Sequence, residues 1–196
     1  MTEEKEEQYN IQYIKEIEEL KKRSYVSSWF SNDSHSMAMW KLYGLSTEGI
    51  AIKIKKENLK NIESLNKKLL SDLNANILFS DVIYVDNSNI EMGSIIDRKL
   101  SREKWITFRD LLLKNKAYKY EEEFRITLLL DKEDDNLKYG IKLKTGDLNN
   151  FIESIFLNPM ISENNWYRKV VQDVLNKFNI KIDKLESGEI RTDFTK

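Results

Sequence analysis

Tyr120-Glu121-Glu122-Glu123-Phe124-Arg125, continuing as Ile126-Thr127-Leu128-Leu129-Leu130, is the most informative stretch of this chain. It opens with carboxylates and closes on an apolar run, so it reads as a strand over 120–130 that leads from a cleft into a core. Along a strand, residues two apart share a face. Glu121, Glu123 and Arg125 then form one row, with Tyr120, Glu122 and Phe124 on the opposite side. An unpaired buried carboxylate is costly, but a guanidinium beside it can hold it ionised. In the functional reading one glutamate polarises a substrate hydroxyl or takes a proton, while Arg125 orients the other. A salt-bridge ladder on a half-exposed strand is the plain structural alternative.

Apolar spacing lays out the remaining elements. Ile11, Ile14, Ile17 and Leu20 form one helical stripe over 3–22. Glutamates at its start and Lys21, Lys22 and Arg23 at its end suit the helix dipole. Residues 25–30 read as a short strand. Asn32, Asp33 and Ser34 offer N-caps to a helix that carries Met37, Met39, Trp40 and Tyr43 and stops at Gly44. Residues 49–54 alternate as a strand, 56–72 as a helix, and 79–85 as a strand. Residues 86–95 form a loop and 99–118 a long helix. After the carboxylate stretch come strands over 139–143 and 152–157, a helix over 163–178, and a closing strand over 180–182. Strands and helices alternate with uneven connections. This predicts an α+β fold in which helices pack on a mixed central sheet. One domain spans 24–186, with an amphipathic helix over 1–23 before it and a flexible tail over 187–196.

Composition narrows the chemistry. The 196 residues are 40% hydrophobic, enough for a core, and the 33% that are charged nearly cancel to a net charge of −1. That balance disfavours a dedicated nucleic-acid or anionic-membrane binder. There is no cysteine, so thiolate metal sites and disulfides drop out, and with one histidine, His35, the sequence disfavours His-based metal sites and Ser-His or Cys-His catalysis. Acid–base work falls to carboxylates, Tyr, Lys and Arg. No apolar run reaches the roughly 18 residues that span a bilayer, and the polar, acidic start is no secretory signal. We expect a cytoplasmic protein. The richness in Lys, Asn and Ile with a single Pro fits an AT-rich bacterial genome.

Three blocks resemble the bacterial domain of unknown function 2971 family. The first holds Met39, Trp40, Tyr43, Gly49, Ile50, Ala51 and Ile52. The second is Lys116 followed by Tyr120-Glu121, Glu123 and Arg125, similar to that family's Lys, aromatic-Glu, Glu and Arg signature. The third is Ile155-Phe156-Leu157-x-Pro159, followed by Trp166 and Val170-Val171. Members usually carry an earlier segment with an Asp-Pro-Phe-Glu loop, which has no counterpart here. Phe30 and His35 stand where relatives often have His and Glu.

The Glu-x-Glu pair also resembles ADP-ribosyltransferases. There the second glutamate binds the ribose hydroxyl next to nicotinamide, and a serine-bearing strand lies beneath it. That resemblance implies NAD and places Ser28 and Ser31 near Glu123, although the upstream Arg or His strand of those enzymes is missing. The expected site is Glu123 as key carboxylate, Glu121 as helper and Arg125 as orienting group, with Ser28, Ser31, Trp40, Tyr43 and Tyr120 binding a nucleotide-like substrate. Trp40 and Tyr43 read more readily as core residues, and residues 32–36 more readily as a simple cap. No metal site is expected, although Asp81, Asp86 and the two glutamates with Lys119 leave a Mg-dependent nuclease as a minor reading. The other alternative is a non-catalytic interaction or regulatory module of a larger bacterial defence or toxin system. Its protein partner, or a second copy, would bind through the N-terminal helix.

Overall fold

The computed structural model describes residues 3–32, 36–44, 48–86, 102–160, 166–181 and 185–187. His35, most of the expected loop over 86–95 and the tail after 187 lie outside them. In chain order the elements are α1 (Glu3–Lys22), β1 (Ser24–Phe30), α2 (Met37–Tyr43), β2 (Ile50–Ile54), α3 (Lys56–Leu65), α4 (Lys67–Asp72), β3 (Ala75–Asp81) and β4 (Ile83–Val85). Then follow α5 (Arg102–Leu112), β5 (Leu113–Asn115), a 3-10 helix (Lys116–Glu121), β6 (Glu123–Leu130), a second 3-10 turn (Asp135–Leu137), α6 (Leu148–Phe151), β7 (Ile152–Leu157), α7 (Trp166–Lys177) and β8 (Leu185–Ser187). This is an α+β protein with helices and mixed sheets, as the pattern predicts. The chain gathers into two compact units, residues 1–31 with 67–142 and residues 32–66 with 143–196.

The first unit is built on β6. It lies between β1 and β3, antiparallel to both, with Ser28 and Ser80 each opposite Arg125. The face that carries Glu123 and Arg125 continues through Thr127 to Leu129. There Leu78, Phe108, Leu112 and Leu129 form a core cluster against which Leu20 and Leu111 pack. So α1 and α5 share that face. They are tied to each other by the Tyr13 hydroxyl, which donates to Asp110 at 3.2 Å, while Arg109 grips the same carboxylate at 2.9 and 3.0 Å. Of the expected α1 stripe, Ile17 and Leu20 are half-buried but Ile11 and Ile14 are exposed. A small parallel ribbon of β4 and β5 sets Tyr84 opposite Lys114.

Several expected boundaries move. The strand expected over 79–85 begins at Ala75 and is interrupted at Val82, whose N–H turns to the Glu123 carbonyl at 2.8 Å. The long helix stops at Leu112, because Leu113–Asn115 leave it to pair with β4. The carboxylate strand starts at Glu123, three residues later than its spacing suggests.

The second unit holds β2, β7 and β8, with β2 antiparallel and β8 parallel to β7. Trp40, Leu59, Ile62, Phe151, Ile155, Leu157, Val171 and Leu175 are among its buried side chains. The helix expected over 56–72 breaks at Asn66, whose buried amide reaches sideways. Its Nδ2 donates to the Ile62 carbonyl at 2.7 Å and the Lys144 carbonyl at 2.9 Å, and its Oδ1 accepts from the Lys144 N–H at 2.8 Å. No strand forms over 139–143. Tyr139 is 96% exposed and Gly140 sits at φ +116°, which breaks the extended run, so Ile141 and Leu143 are half-buried without joining a ladder. Asn66 holds the following stretch instead. Asn58 and Asn149 do similar work, bonding to the Asn150 and Phe151 carbonyls and to the Asn179 carbonyl and Lys181 N–H. Ile180 and Lys181 are not strand, and β8 forms at Leu185–Ser187 instead.

Candidate functional site

The local fold at the carboxylates is a turn followed by a strand. The Asn115 side chain caps the 3-10 helix by accepting from the Ala117 N–H at 2.8 Å. Glu121 ends that helix. Glu122 then takes a left-handed conformation, φ 38° and ψ 55°, which swings the chain into β6. Two-residue strand alternation therefore does not relate Glu121 to Glu123, as the sequence reading supposed. The two side chains still converge, because the left-handed residue between them points away while both neighbours turn inward. Glu121 is 6% exposed and Glu123 7%, whereas Glu122 is exposed.

Lys114 joins them. Its ammonium donates to the Glu121 carboxylate and, at 3.2 Å, to Glu123 Oε2. Arg125, two residues along the same strand face, takes Glu123 with both edges of its fork, Nε to Oε1 at 3.2 Å and Nη2 to Oε2 at 2.9 Å. Its remaining nitrogen, Nη1, donates to the Leu111 carbonyl, which fixes the guanidinium against α5. The Ser28 hydroxyl, from β1 opposite Arg125, adds a further hydrogen bond to Glu123. From β4, the Tyr84 hydroxyl oxygen accepts the Glu123 backbone N–H at 2.9 Å. Lys114 also lies over the Tyr118 ring, 5.2 Å from its centroid. Two carboxylates thus meet two cations in a nearly closed, charge-balanced cluster.

Burial alone would raise the Glu123 carboxyl, but hydrogen bonds from Arg125, Ser28 and Lys114 outweigh it and hold the group below the usual carboxylate range. Burial pulls Lys114 down, the two glutamates pull it up more strongly, and it stays protonated. Burial pushes the Tyr84 phenol up. A carboxylate held this way is a fixed negative charge and a poor proton acceptor. Arg125 orients Glu123 itself and makes its other contact to α5.

The expected residues divide between the units. Ser28, Glu121, Glu123 and Arg125 come together in the first. Ser31 belongs there through its backbone, donating to the Glu122 carbonyl at 2.8 Å. Tyr120 is exposed on the 3-10 helix. Trp40 and Tyr43 lie in the second unit, Trp40 buried and Tyr43 64% exposed. Lys116, the lysine named by the family signature, pairs with Asp86 at the surface, 3.3 Å away. Lys114 and Tyr84 escaped the sequence reading. The only hint was a second lysine two residues before Lys116, and Tyr84 becomes relevant only through the parallel pairing of β4 with β5. Among the described residues, no three acidic or histidine side chains gather as a metal site would require, so Asp81 and Asp86 do not join the glutamates.

Residues 39–126 match the family model described as a protein of unknown function, DUF2971. Over that segment the chain is similar to this family. The DUF2971 match covers the first two sequence blocks, including Glu121, Glu123, Arg125 and the newly placed Lys114 and Tyr84. It leaves out Ser28, Ser31 and the third block. No curated protein and no solved structure matches the chain. Among the described residues, no helix is long and apolar enough to cross a membrane.

Proposed function

We propose that this protein is a bacterial cytoplasmic enzyme of the ADP-ribosyltransferase or glycohydrolase type, acting at the ribosyl carbon of NAD or a related nucleotide. One observation carries this reading: Glu123 is held ionised, with a serine hydroxyl from the neighbouring strand beside it. When the bond from ribose C1′ to nicotinamide breaks, the base leaves with the electron pair and positive charge spreads over C1′ and the ring oxygen. A pre-set anion stabilises that charge without needing to take a proton. Glu123 supplies the anion, Arg125 and Lys114 fix its position, and Ser28 lies where the ribose hydroxyls would meet it. Glu121 shares Lys114 and is the second carboxylate available for the incoming hydroxyl. Exposed Tyr120 suits stacking against a base.

A second reading has support of its own. Both Glu123 oxygens are engaged by groups of the same fold, and Ile11 and Ile14 leave an apolar patch open on α1. A non-catalytic module that binds a protein partner through α1 would have both features.

Replacing Glu123 by Gln separates the two only if the right quantity is measured. The substitution breaks a buried ion pair in either case, so it should cost about 3 kcal/mol, or about 6–12 °C in Tm for a chain of this length. Melting alone therefore decides nothing. Nicotinamide release from NAD, measured where the variant is still folded, should fall at least about 100-fold for Glu123→Gln. For Ser28→Ala it should fall roughly tenfold, with Tm nearly unchanged. If wild-type protein releases no nicotinamide, and neither NAD nor free nucleotides shift its Tm, the enzyme reading fails and the module reading stands.

A further inference from the structure

The hydrogen-bond parity of β1 leaves one edge of the first sheet open. Ser31 N–H bonds to the Glu122 carbonyl and Leu130 N–H to the Arg23 carbonyl, in one continuous register. In an antiparallel ladder, bonded pairs recur every second residue. Tyr25, Ser27 and Trp29 therefore turn their backbone groups to β6, and Ser24, Val26, Ser28 and Phe30 turn theirs outward. Among the described residues, no strand lies on that side. The stretch Ser-Tyr-Val-Ser-Ser-Trp-Phe carries no charge, in a chain that is 33% charged. Edge strands are normally guarded against pairing by lysine, proline or bulges, and none is present in β1. The opposite edge, β3, contacts both α4 and α5 and ends on Asp81. Val26 is 46% exposed, and Ser27 and Ser28 are exposed beside it.

We propose that β1 pairs antiparallel with β1 of a second copy, about a two-fold axis at Ser27, so that two three-stranded sheets become one. The strand is self-complementary in this register. Ser24 meets Phe30 and Val26 meets Ser28 at the bonded positions, using each outward N–H and carbonyl. Tyr25 meets Trp29 at the closer, non-bonded positions, where aromatic pairs are favoured. The Trp29 indole already lies along the strand, donating to the Ser27 hydroxyl at 3.0 Å. Sliding the register by two residues toward the N-terminus would set Lys22 and Arg23 against Phe30 and Trp29, and sliding it the other way would shorten the ladder. The pairing also places Val26 of one copy beside Ser28 of the other, next to the hydroxyl that serves Glu123.

Sedimentation of the full chain over a concentration series should show a monomer–dimer equilibrium. Val26→Lys should shift it to monomer and abolish the concentration dependence of Tm without lowering the Tm of the dilute monomer, and so should Val26→Pro, because that N–H faces outward. Val174→Lys, on the exposed face of α7, should leave the dimer intact. Hydrogen exchange gives a residue-level check. In the dimer the amides of Ser24, Val26, Ser28 and Phe30 should be protected, and Val26→Lys should release them while Tyr25, Ser27 and Trp29 stay protected. A strictly monomeric wild type, a dimer split by Val174→Lys but not by Val26→Lys, or unprotected even-numbered amides would each overturn the proposal. So would edge amides that gain protection only when an extended peptide is added, which would give the edge to another partner.

Discussion

Each unit has a point where regular pairing gives out and side chains hold the chain, and the two solve the problem with opposite chemistry. In the second unit, Asn58, Asn66 and Asn149 stand in for a ladder using neutral amides. In the first, Lys114, Glu121, Glu123 and Arg125 do it with four charges. Amides satisfy backbone groups at any pH and leave no charge in the interior. Buried ions must overcome their own desolvation, and well-packed apolar residues often hold a fold equally well. A chain that fastens one unit with asparagine has no structural need to fasten the other with glutamate. We read the expensive chemistry as functional on that ground alone, since the segment similar to DUF2971 holds Asn58 and Asn66 as well as the charged cluster.

This contrast can be broken most forcefully at Lys114. Lys114→Met leaves two buried carboxylates facing each other without the ammonium between them, and should cost about 3–5 kcal/mol in chemical denaturation. A cost under 1 kcal/mol would mean that the glutamates do not depend on it. Asn66→Ala should come next, at about 2–3 kcal/mol, since it strands the Lys144 backbone groups and one helix-end carbonyl.

The two losses should differ in their pH dependence. The Glu123 carboxyl is depressed in the folded state, so its contribution is fully present above the unfolded value near 4.3 and is lost as pH falls through the lower folded value. Lys114 is raised, so its share persists up to the unfolded value near 10.4 and fades as pH climbs past the folded one. The Lys114→Met penalty should therefore shrink below about pH 4, while the Asn66→Ala penalty holds constant between pH 3 and 9. Parallel profiles would erase the distinction between the units.

The smallest effect is expected at Glu122. Left-handed backbone costs a non-glycine residue about 1 kcal/mol, so Glu122→Gly should be neutral or stabilising by up to about that much. A clear loss would show that the exposed side chain contributes more than its backbone costs.

Those same positions show what the sequence makes legible. Alternation correctly grouped Glu123 with Arg125, because β6 is a true strand from Glu123 onward. It grouped Glu121 with them for the wrong reason, since a left-handed residue produced the convergence that alternation was meant to explain. No propensity points to that geometry at a glutamate. Helical spacing ran through Asn66 and past Leu112, because a periodic apolar pattern does not report a side chain that leaves the helix to cap another segment, or a helix end that pairs as a strand. Tyr139 to Leu143 looked like a strand from composition, but the turn of Gly140 and the exposure of Tyr139 decide against it. Lys114 was invisible because its partners are seven and nine residues away, reached only through a turn.

The polypeptide passes from one unit to the other at residues 31–32, 66–67 and 142–143. Anyone cutting out the matched segment 39–126 for expression would sever β6 after Ile126, part its stub from β1 and part β2 from β7. What similarity searching isolates as a module is here a thread stitched through two bodies. Its folding has to be of the whole cloth.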